Sequence, residues 1–279
     1  MDNKEINKKQ IILVITVADI ILFILFIVGI TYIVQYFKDS QNNKQIYDEI
    51  IIDATNIENN ETDQQVLNEH IEDNVESVQT VEISENMQKV ITLKQENQDV
   101  IGWIQIDNTI INYPLLQSTN KDKDYYLTHN YKNEKTKYGS IYLNKLSDIS
   151  NVNSNSIIYG HNMKDEQMFN TLLKYENQDF YNEHKTIKIA TEKEESEYLI
   201  VCAFKSRIFY QNEQDVFRYY NYTNFEDEKT YNEYIKNCKQ IQLYDTGVTA
   251  TYGEQLITLI TCEYSQENGR MVVVAKKIN

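Results

Sequence analysis

From Ile11 to Val34 the chain is almost wholly apolar, with Thr16, Asp19 and Thr31 as the exceptions. A helix over this stretch is about 36 Å long at ~1.5 Å per residue, and a bilayer core is about 30 Å thick. Its Leu, Ile, Phe and Val residues each favour insertion by roughly 0.3–0.6 kcal/mol, and Asp19 opposes it by roughly 3 kcal/mol, so insertion wins. A core helix of a soluble domain is the competing reading. No small-residue cleavage site follows, since the exit reads Tyr32-Ile33-Val34-Gln35-Tyr36-Phe37. An uncleaved anchor is therefore expected rather than a signal peptide. Lys4, Lys8 and Lys9 precede the segment, and Lys38 and Lys44 follow it. The small excess before it puts residues 1–10 in the cytoplasm, 11–34 in the membrane and the rest outside. A single-pass cell-membrane protein with an extracellular domain is expected. Asp19 receives no role.

The formal charge of −15 excludes nucleic acid as a partner, because phosphate binding needs a basic face. Three cysteines, Cys202, Cys238 and Cys262, form no CxxC pair and are odd in number, which argues against a disulfide framework. Residues 35–83 are polar and acidic, with sparse apolar positions such as Ile46, Ile50, Val66, Leu67 and Ile71. They read as an extracellular stalk, partly helical and partly flexible.

Residues 84–279 have the patterning of a folded domain. Ser84 can cap a helix reaching about Gln98, with Met87, Val90 and Ile91 on one face. Trp103–Ile106 and Ile110–Tyr113 flank Asp107-Asn108-Thr109, a hairpin signal, and Pro114 is expected to end the second strand or place it at an edge. Further strands are expected at Gly139–Leu143, Ser156–Tyr159, Thr186–Thr191, Tyr198–Lys205 and Tyr244–Thr249, and helices at Asp165–Tyr175 and Glu226–Cys238. The last helix carries Tyr231, Tyr234, Ile235 and Cys238 on one face. Many short strands with a few helices indicate a barrel or a sandwich with helical insertions.

The final pair of strands holds the strongest chemical signal. Leu256–Cys262 and Arg270–Ala275 are β-branched runs joined by the polar loop Glu263–Gly269. A hairpin symmetric about Gln266 sets Cys262 opposite Arg270, with Cβ atoms roughly 4.5–5.5 Å apart. A thiol beside a guanidinium is the setting of a nucleophile with an anion-binding partner. Cys202 and Cys238 fall on apolar faces and read as small core residues. Among the histidines, His70 and His184 read as solvated and His129 as part of an apolar-anchored loop. His161 follows the apolar strand Ser156–Tyr159 and Gly160, a common way to present a titratable group. The Cys and His spacings match no zinc pattern, and no metal or organic cofactor is expected.

Taken together, Thr258-Leu259-Ile260-Thr261-Cys262 followed by Arg270 resembles the TLxTC…R motif of sortases, and Tyr159-Gly160-His161-Asn162-Met163 the histidine motif of their class B. Gly102-Trp103-Ile104, Asn112-Tyr113-Pro114, Gly139–Leu143 and Gly269–Lys276 fit the same class, so the resemblance covers about residues 85–279. It implies a mainly β fold: a closed barrel of about eight strands, with N-terminal helices, a helix inserted before the last strands and one preceding transmembrane helix. It implies a membrane-anchored cysteine transpeptidase that cleaves surface proteins after Thr in a C-terminal sorting signal. The cleaved protein is joined to an amine of a peptidoglycan precursor through a thioacyl-enzyme. Cys262 is then the nucleophile, His161 the general acid and base, and Arg270 the group holding the substrate carbonyl and oxyanion. A pilin-polymerising sortase, a cysteine protease and an inactive binding module are the alternatives.

Overall fold

The computed structural model describes residues 3–62, 83–119 and 122–279. The chain divides into two units, Met1–Glu49 and Ile50–Asn279. Helix α1 runs unbroken from Asn3 to Thr62, and its apolar stretch is exposed rather than packed in a core. By length and composition it is a candidate membrane span, not a core helix. The same helix continues into the first part of the acidic segment. The rest of that segment, with His70, lies outside the described residues.

In the second unit, α2 (Glu85–Glu96) leads into eight strands: β1 (Val100–Gln105), β2 (Asn112–Leu116), β3 (Ile141–Leu143), β4 (Asn155–Tyr159), β5 (Thr186–Ala190), β6 (Glu195–Arg207), β7 (Leu256–Cys262) and β8 (Gly269–Lys277). They close into a barrel in the order β1-β2-β3-β4-β7-β8-β6-β5. Closure leaves no free sheet edge. Most pairs are antiparallel, but β2–β3 and β4–β7 are parallel.

Helix α2 begins where Ser84 accepts a hydrogen bond from the Met87 amide, and it packs along β1. Its Lys89 is buried yet satisfied, lying 2.5 Å from Glu85 and 5.1 Å above the ring of buried Trp103. Between β6 and β7 the chain inserts residues 208–255, including α4 (Glu228–Gln240), capped by the Asp227 side chain. Tyr231, Tyr234, Ile235 and Cys238 are its buried face, as the spacing predicts. They join Phe204, Tyr219, Phe225, Ile260 and Val272 in one apolar cluster.

The structure corrects three local expectations. Pro114 neither ends β2 nor lies at an edge, because β2 continues to Leu116 between β1 and β3. Strand β3 joins only at Leu115 and Leu116, so on that side Pro114 has no ladder partner to disappoint. Tyr244–Thr249 is not a strand. Thr246 donates its hydroxyl to the Val201 carbonyl and Asp245 accepts from the Gly247 amide, so the segment turns instead of pairing. The helix expected at Asp165–Tyr175 is a 3-10 turn over Asn170–Glu176 preceded by a tight loop. The Met168 amide is taken by the Tyr113 hydroxyl and the Phe169 amide by the His161 carbonyl, so neither can enter a helix there. A short α3 (Gln178–Glu183), capped by Asn177, follows.

The β7–β8 loop is held by a buried carboxylate. Glu263 accepts from the amide and hydroxyl of Ser265, at 2.8 and 2.6 Å, and lies 3.6 Å from the Lys205 ammonium. Burial pushes its carboxyl up, but the Ser265 bonds and Lys205 outweigh that and hold it below the ordinary carboxylate value. A depressed carboxyl stabilises the fold fully above its ordinary value, and the contribution is lost as pH falls through the lowered one. Glu263→Gln is expected to cost about 1 kcal/mol at neutral pH. The difference should vanish in acid, where the carboxyl is protonated in folded and unfolded chains alike; urea denaturation across pH reads this. Gly160 marks a second constraint. A Cβ there would lie 2.5 Å from Ile141 Cδ1 and 2.7 Å from the Phe169 ring. Gly160→Ala is expected to lower stability by about 1–3 kcal/mol in the same assay.

Candidate active site

Three levels of one sheet face lead to the site. In the first, Ile157, Thr258, Val274 and Cys202 lie side by side on β4, β7, β8 and β6. In the second stand Tyr159, Ile260, Val272 and Phe204. Since side chains alternate along a strand, every second residue returns to the same face. The third level therefore holds Cys262, Arg270 and Ser206, with Cys262 paired directly to Arg270 as the symmetric hairpin requires. Continuing the β4–β7 register beyond Tyr159 and Ile260 brings His161 level with Cys262.

That continuation is carried by hydrogen bonds. The Gly160 amide donates to the Ile260 carbonyl at 3.2 Å, and the Thr261 hydroxyl donates to the Gly160 carbonyl at 2.8 Å. The first two levels are buried apart from Tyr159, which is half-buried against the core, and Cys262, His161 and Arg270 are half-buried beyond them. Cys202 and Cys238 are fully buried, as expected, so Cys262 alone of the three thiols meets the surface.

His161 places Nε2 2.7 Å from the Leu127 carbonyl. A carbonyl only accepts, so Nε2 carries a proton and Nδ1 is the nitrogen left to exchange one. The Leu127 carbonyl is itself set by a close backbone crossing at Gly139. There φ is +57°, and a Cβ would fall 2.6 Å from the Leu127 and Tyr126 oxygens. Arg270 donates to the Asn268 and Gly269 carbonyls at 3.1 and 2.8 Å. Among the described residues it makes no ion pair, so its charge is not cancelled locally.

Tyrosines surround this group. Tyr142, Tyr219 and Tyr264 lie within electrostatic reach of both Cys262 and Arg270. Burial pushes all three hydroxyls above the usual tyrosine range, so they stay protonated and able to donate. Nothing in the sequence pattern marks Leu127, whose part is played by its backbone, or selects these tyrosines from the many in the chain. Among the described residues the two other histidines take packing positions. His129 stacks on Tyr125 at 3.9 Å. His184, read from sequence as solvated, is half-buried against Phe180 and bonds its carbonyl. Among the described residues no group of His, Cys, Asp and Glu side chains gathers as a metal site.

A thiol, an uncompensated guanidinium and an imidazole at one strand-end level can perform acyl transfer through a covalent intermediate. Comparison with known proteins agrees. The sortase domain family model matches residues 104–278. Sortase B of Listeria monocytogenes is 38% identical over 188 residues, covering 67% of this chain and 72% of the relative. Sortase B of Staphylococcus aureus is 30% identical over 228 residues, covering 76% of this chain and 89% of the relative. The structure of a Staphylococcus aureus sortase B–substrate complex superimposes with a TM-score of 0.67 at 27% identity, covering 86% of this chain and 98% of the other. The chain belongs to the class B sortases, which are cysteine transpeptidases, and it has their closed barrel.

Proposed function

We propose that residues 84–279 form the catalytic domain, with Cys262 as nucleophile, His161 as general acid and base, and Arg270 as the group that holds the substrate carbonyl. The observation that carries this reading is the direct pairing of Cys262 with Arg270, with His161 two residues past Tyr159 on the neighbouring β4, whose register continues in the bond from the Gly160 amide to the Ile260 carbonyl. The substrate is a surface protein with a Thr in a C-terminal sorting signal. The Cys262 thiolate attacks the Thr carbonyl carbon, and a C–S bond forms as the carbonyl oxygen becomes an oxyanion. Arg270 donates to that oxygen, which carries more charge in the transition state than in the substrate. The oxyanion collapses, the C–N bond breaks and the departing amine takes the proton held at His161 Nδ1. A peptidoglycan-precursor amine then attacks the thioester and gives its proton to His161 Nδ1. The C–S bond breaks and the thiolate is restored.

Helix α1 gives this chemistry a place. Residues 11–34 would span the membrane, with 1–10 in the cytoplasm and 35–83 as an extracellular stalk. Substrate and lipid-linked acceptor share the outer membrane face, so a tether there raises the enzyme's effective concentration toward both.

The test uses the full chain in detergent micelles and a pool of quenched fluorescent peptides with a fixed Thr and randomised flanks, with an amine present. Cleavage after Thr with formation of an amine adduct is expected. Cys262→Ala should abolish turnover without altering the thermal midpoint, and turnover retained in that variant refutes the assignment. Arg270→Lys should lower kcat by about 10²-fold, the scale of losing one oriented oxyanion donor, because a point charge does not copy a planar fork. Unchanged kcat there removes Arg270 from the mechanism. Hydrolysed product with no adduct identifies a cysteine protease, and a ladder of linked proteins a pilin-polymerising enzyme.

A further inference from the structure

Strand β4 ends just before His161, and the chain folds away at Asn162, which bridges to Met168. In a parallel ladder the donors of one strand recur at every second residue. Gly160 donates its amide to the Ile260 carbonyl, so the next donor on this side would be Asn162, facing the Cys262 carbonyl. That position is filled by the side chain: Asn162 Nδ2 donates to the Cys262 carbonyl at 2.9 Å. The amide replaces the ladder bond at the point where the strand turns off. The orientation of that amide is also fixed. Asn170 Nδ2 donates to Asn162 Oδ1 at 2.7 Å, and the Cys262 carbonyl can only accept, so the NH₂ must face Cys262.

The loop between the two asparagines cannot easily rearrange. Glu166 and Met168 adopt left-handed backbone, with φ of 64° and 58°, and Met168 is fully buried. Such conformations persist where surrounding contacts over-determine them. Here the Met168 amide donates to the Tyr113 hydroxyl at 3.1 Å and the Phe169 amide to the His161 carbonyl at 2.9 Å. His161 is thus held by its own carbonyl on one side, and by its neighbour's side chain to the nucleophile strand on the other.

We propose that Asn162, oriented by Asn170, is a positioning residue that fixes the spacing of His161 from Cys262. The inference rests on the reading of those two residues as the catalytic pair. It assigns Asn162 no contact with substrate. Its amide couples two strand ends, one carrying the thiol that bonds the carbonyl carbon and the other the imidazole that protonates the amine leaving it, and a misplacement of about 1 Å at such a pair costs about 10²-fold in rate. Asn170 acts one step further back. In Asn170→Asp the new carboxylate cannot donate to Oδ1. The Asn162 amide would turn its NH₂ toward that carboxylate and present Oδ1 to the Cys262 carbonyl, so the clasp would open with almost no change in side-chain size.

The experiment compares the full chain with Asn162→Ala and Asn170→Asp in detergent micelles, using the Thr-containing peptide pool. Active sites are counted by mass-mapped alkylation of Cys262 with iodoacetamide. Both variants should lose about 10- to 100-fold in kcat per titrated Cys262, with KM within about twofold and the thermal midpoint nearly unchanged. A merely structural role would reduce the fraction of titratable sites and the midpoint, and leave kcat per site intact. That result overturns the proposal, as does wild-type kcat in Asn170→Asp if Asn162→Ala does not fold. Failure of the underlying reading looks different: Cys262→Ala or His161→Ala would then retain turnover.

Discussion

The parallel pairing of β4 with β7 is the contact on which the rest of the site depends. The Cys262–Arg270 pair is local, made by a hairpin that could form from its own residues. His161 is about a hundred positions away in sequence and reaches them only because β4 lies beside β7 in a fixed register. A slip of one residue would turn His161 to the opposite face. The register is protected along its length by levels whose side chains pack inward, buried Ile157 beside buried Thr258 and half-buried Tyr159 beside buried Ile260. The barrel's closure reinforces this, since neither strand has a free edge along which to slide.

The insertion before β7 also locks that pairing, through polar contacts in the core. Asn155 of β4 donates to the Tyr222 carbonyl and to the Tyr234 hydroxyl at 2.8 and 3.1 Å, and the Thr258 hydroxyl of β7 donates to Asn155 Oδ1 at 2.7 Å. Tyr234 and Thr258 are themselves 2.9 Å apart. All three side chains are fully buried, where a lost partner costs about 1–3 kcal/mol. Asn155 and Thr258 therefore favour the arrangement in which α4 covers both strands, and α4 covers them only if they are paired in this register. Thr258 opens the stretch that ends in Cys262, so the strand that carries Cys262 is anchored away from that end by the insertion.

What could be read from the chain follows the distance over which each contact acts. The hairpin register about Gln266 was legible because two β-branched runs and a polar loop of seven residues define it locally. The stripe on α4 was legible because Tyr231, Tyr234, Ile235 and Cys238 recur at helical spacing. The loop after His161 was misread as a helix because its deciding partners, the Tyr113 hydroxyl and the His161 carbonyl, come from other parts of the fold. Tyr244–Thr249 has strand-like composition, but side-chain bonds from Thr246 and Asp245 take the positions a ladder would use. The Leu127 carbonyl that orients His161 leaves no trace in residue type at all. Asn162 stands beside His161 in the sequence, but its bond to the Cys262 carbonyl depends on β4 leaving the ladder there, which residue type does not mark.

A cysteine transpeptidase needs a thiol that a peptide can reach, and the fold treats its three cysteines very differently. Cys202 lies on the first level of the sheet face and Cys238 on the inner side of α4, both without exposure. Burial, and then the hydrogen bond with Cys202, push the Cys238 thiol far up, away from the thiolate that nucleophilic attack requires. Cys262 stands two levels along from Cys202 on the same face, where the covering insertion gives way to the surface. Each step from one level to the next exchanges a packing requirement for access, and only the third combines access with Arg270 and His161. That supports Cys262 as the nucleophile independently of any motif, since moving the thiol one level back would place it under the tyrosines, where no peptide carbonyl could follow.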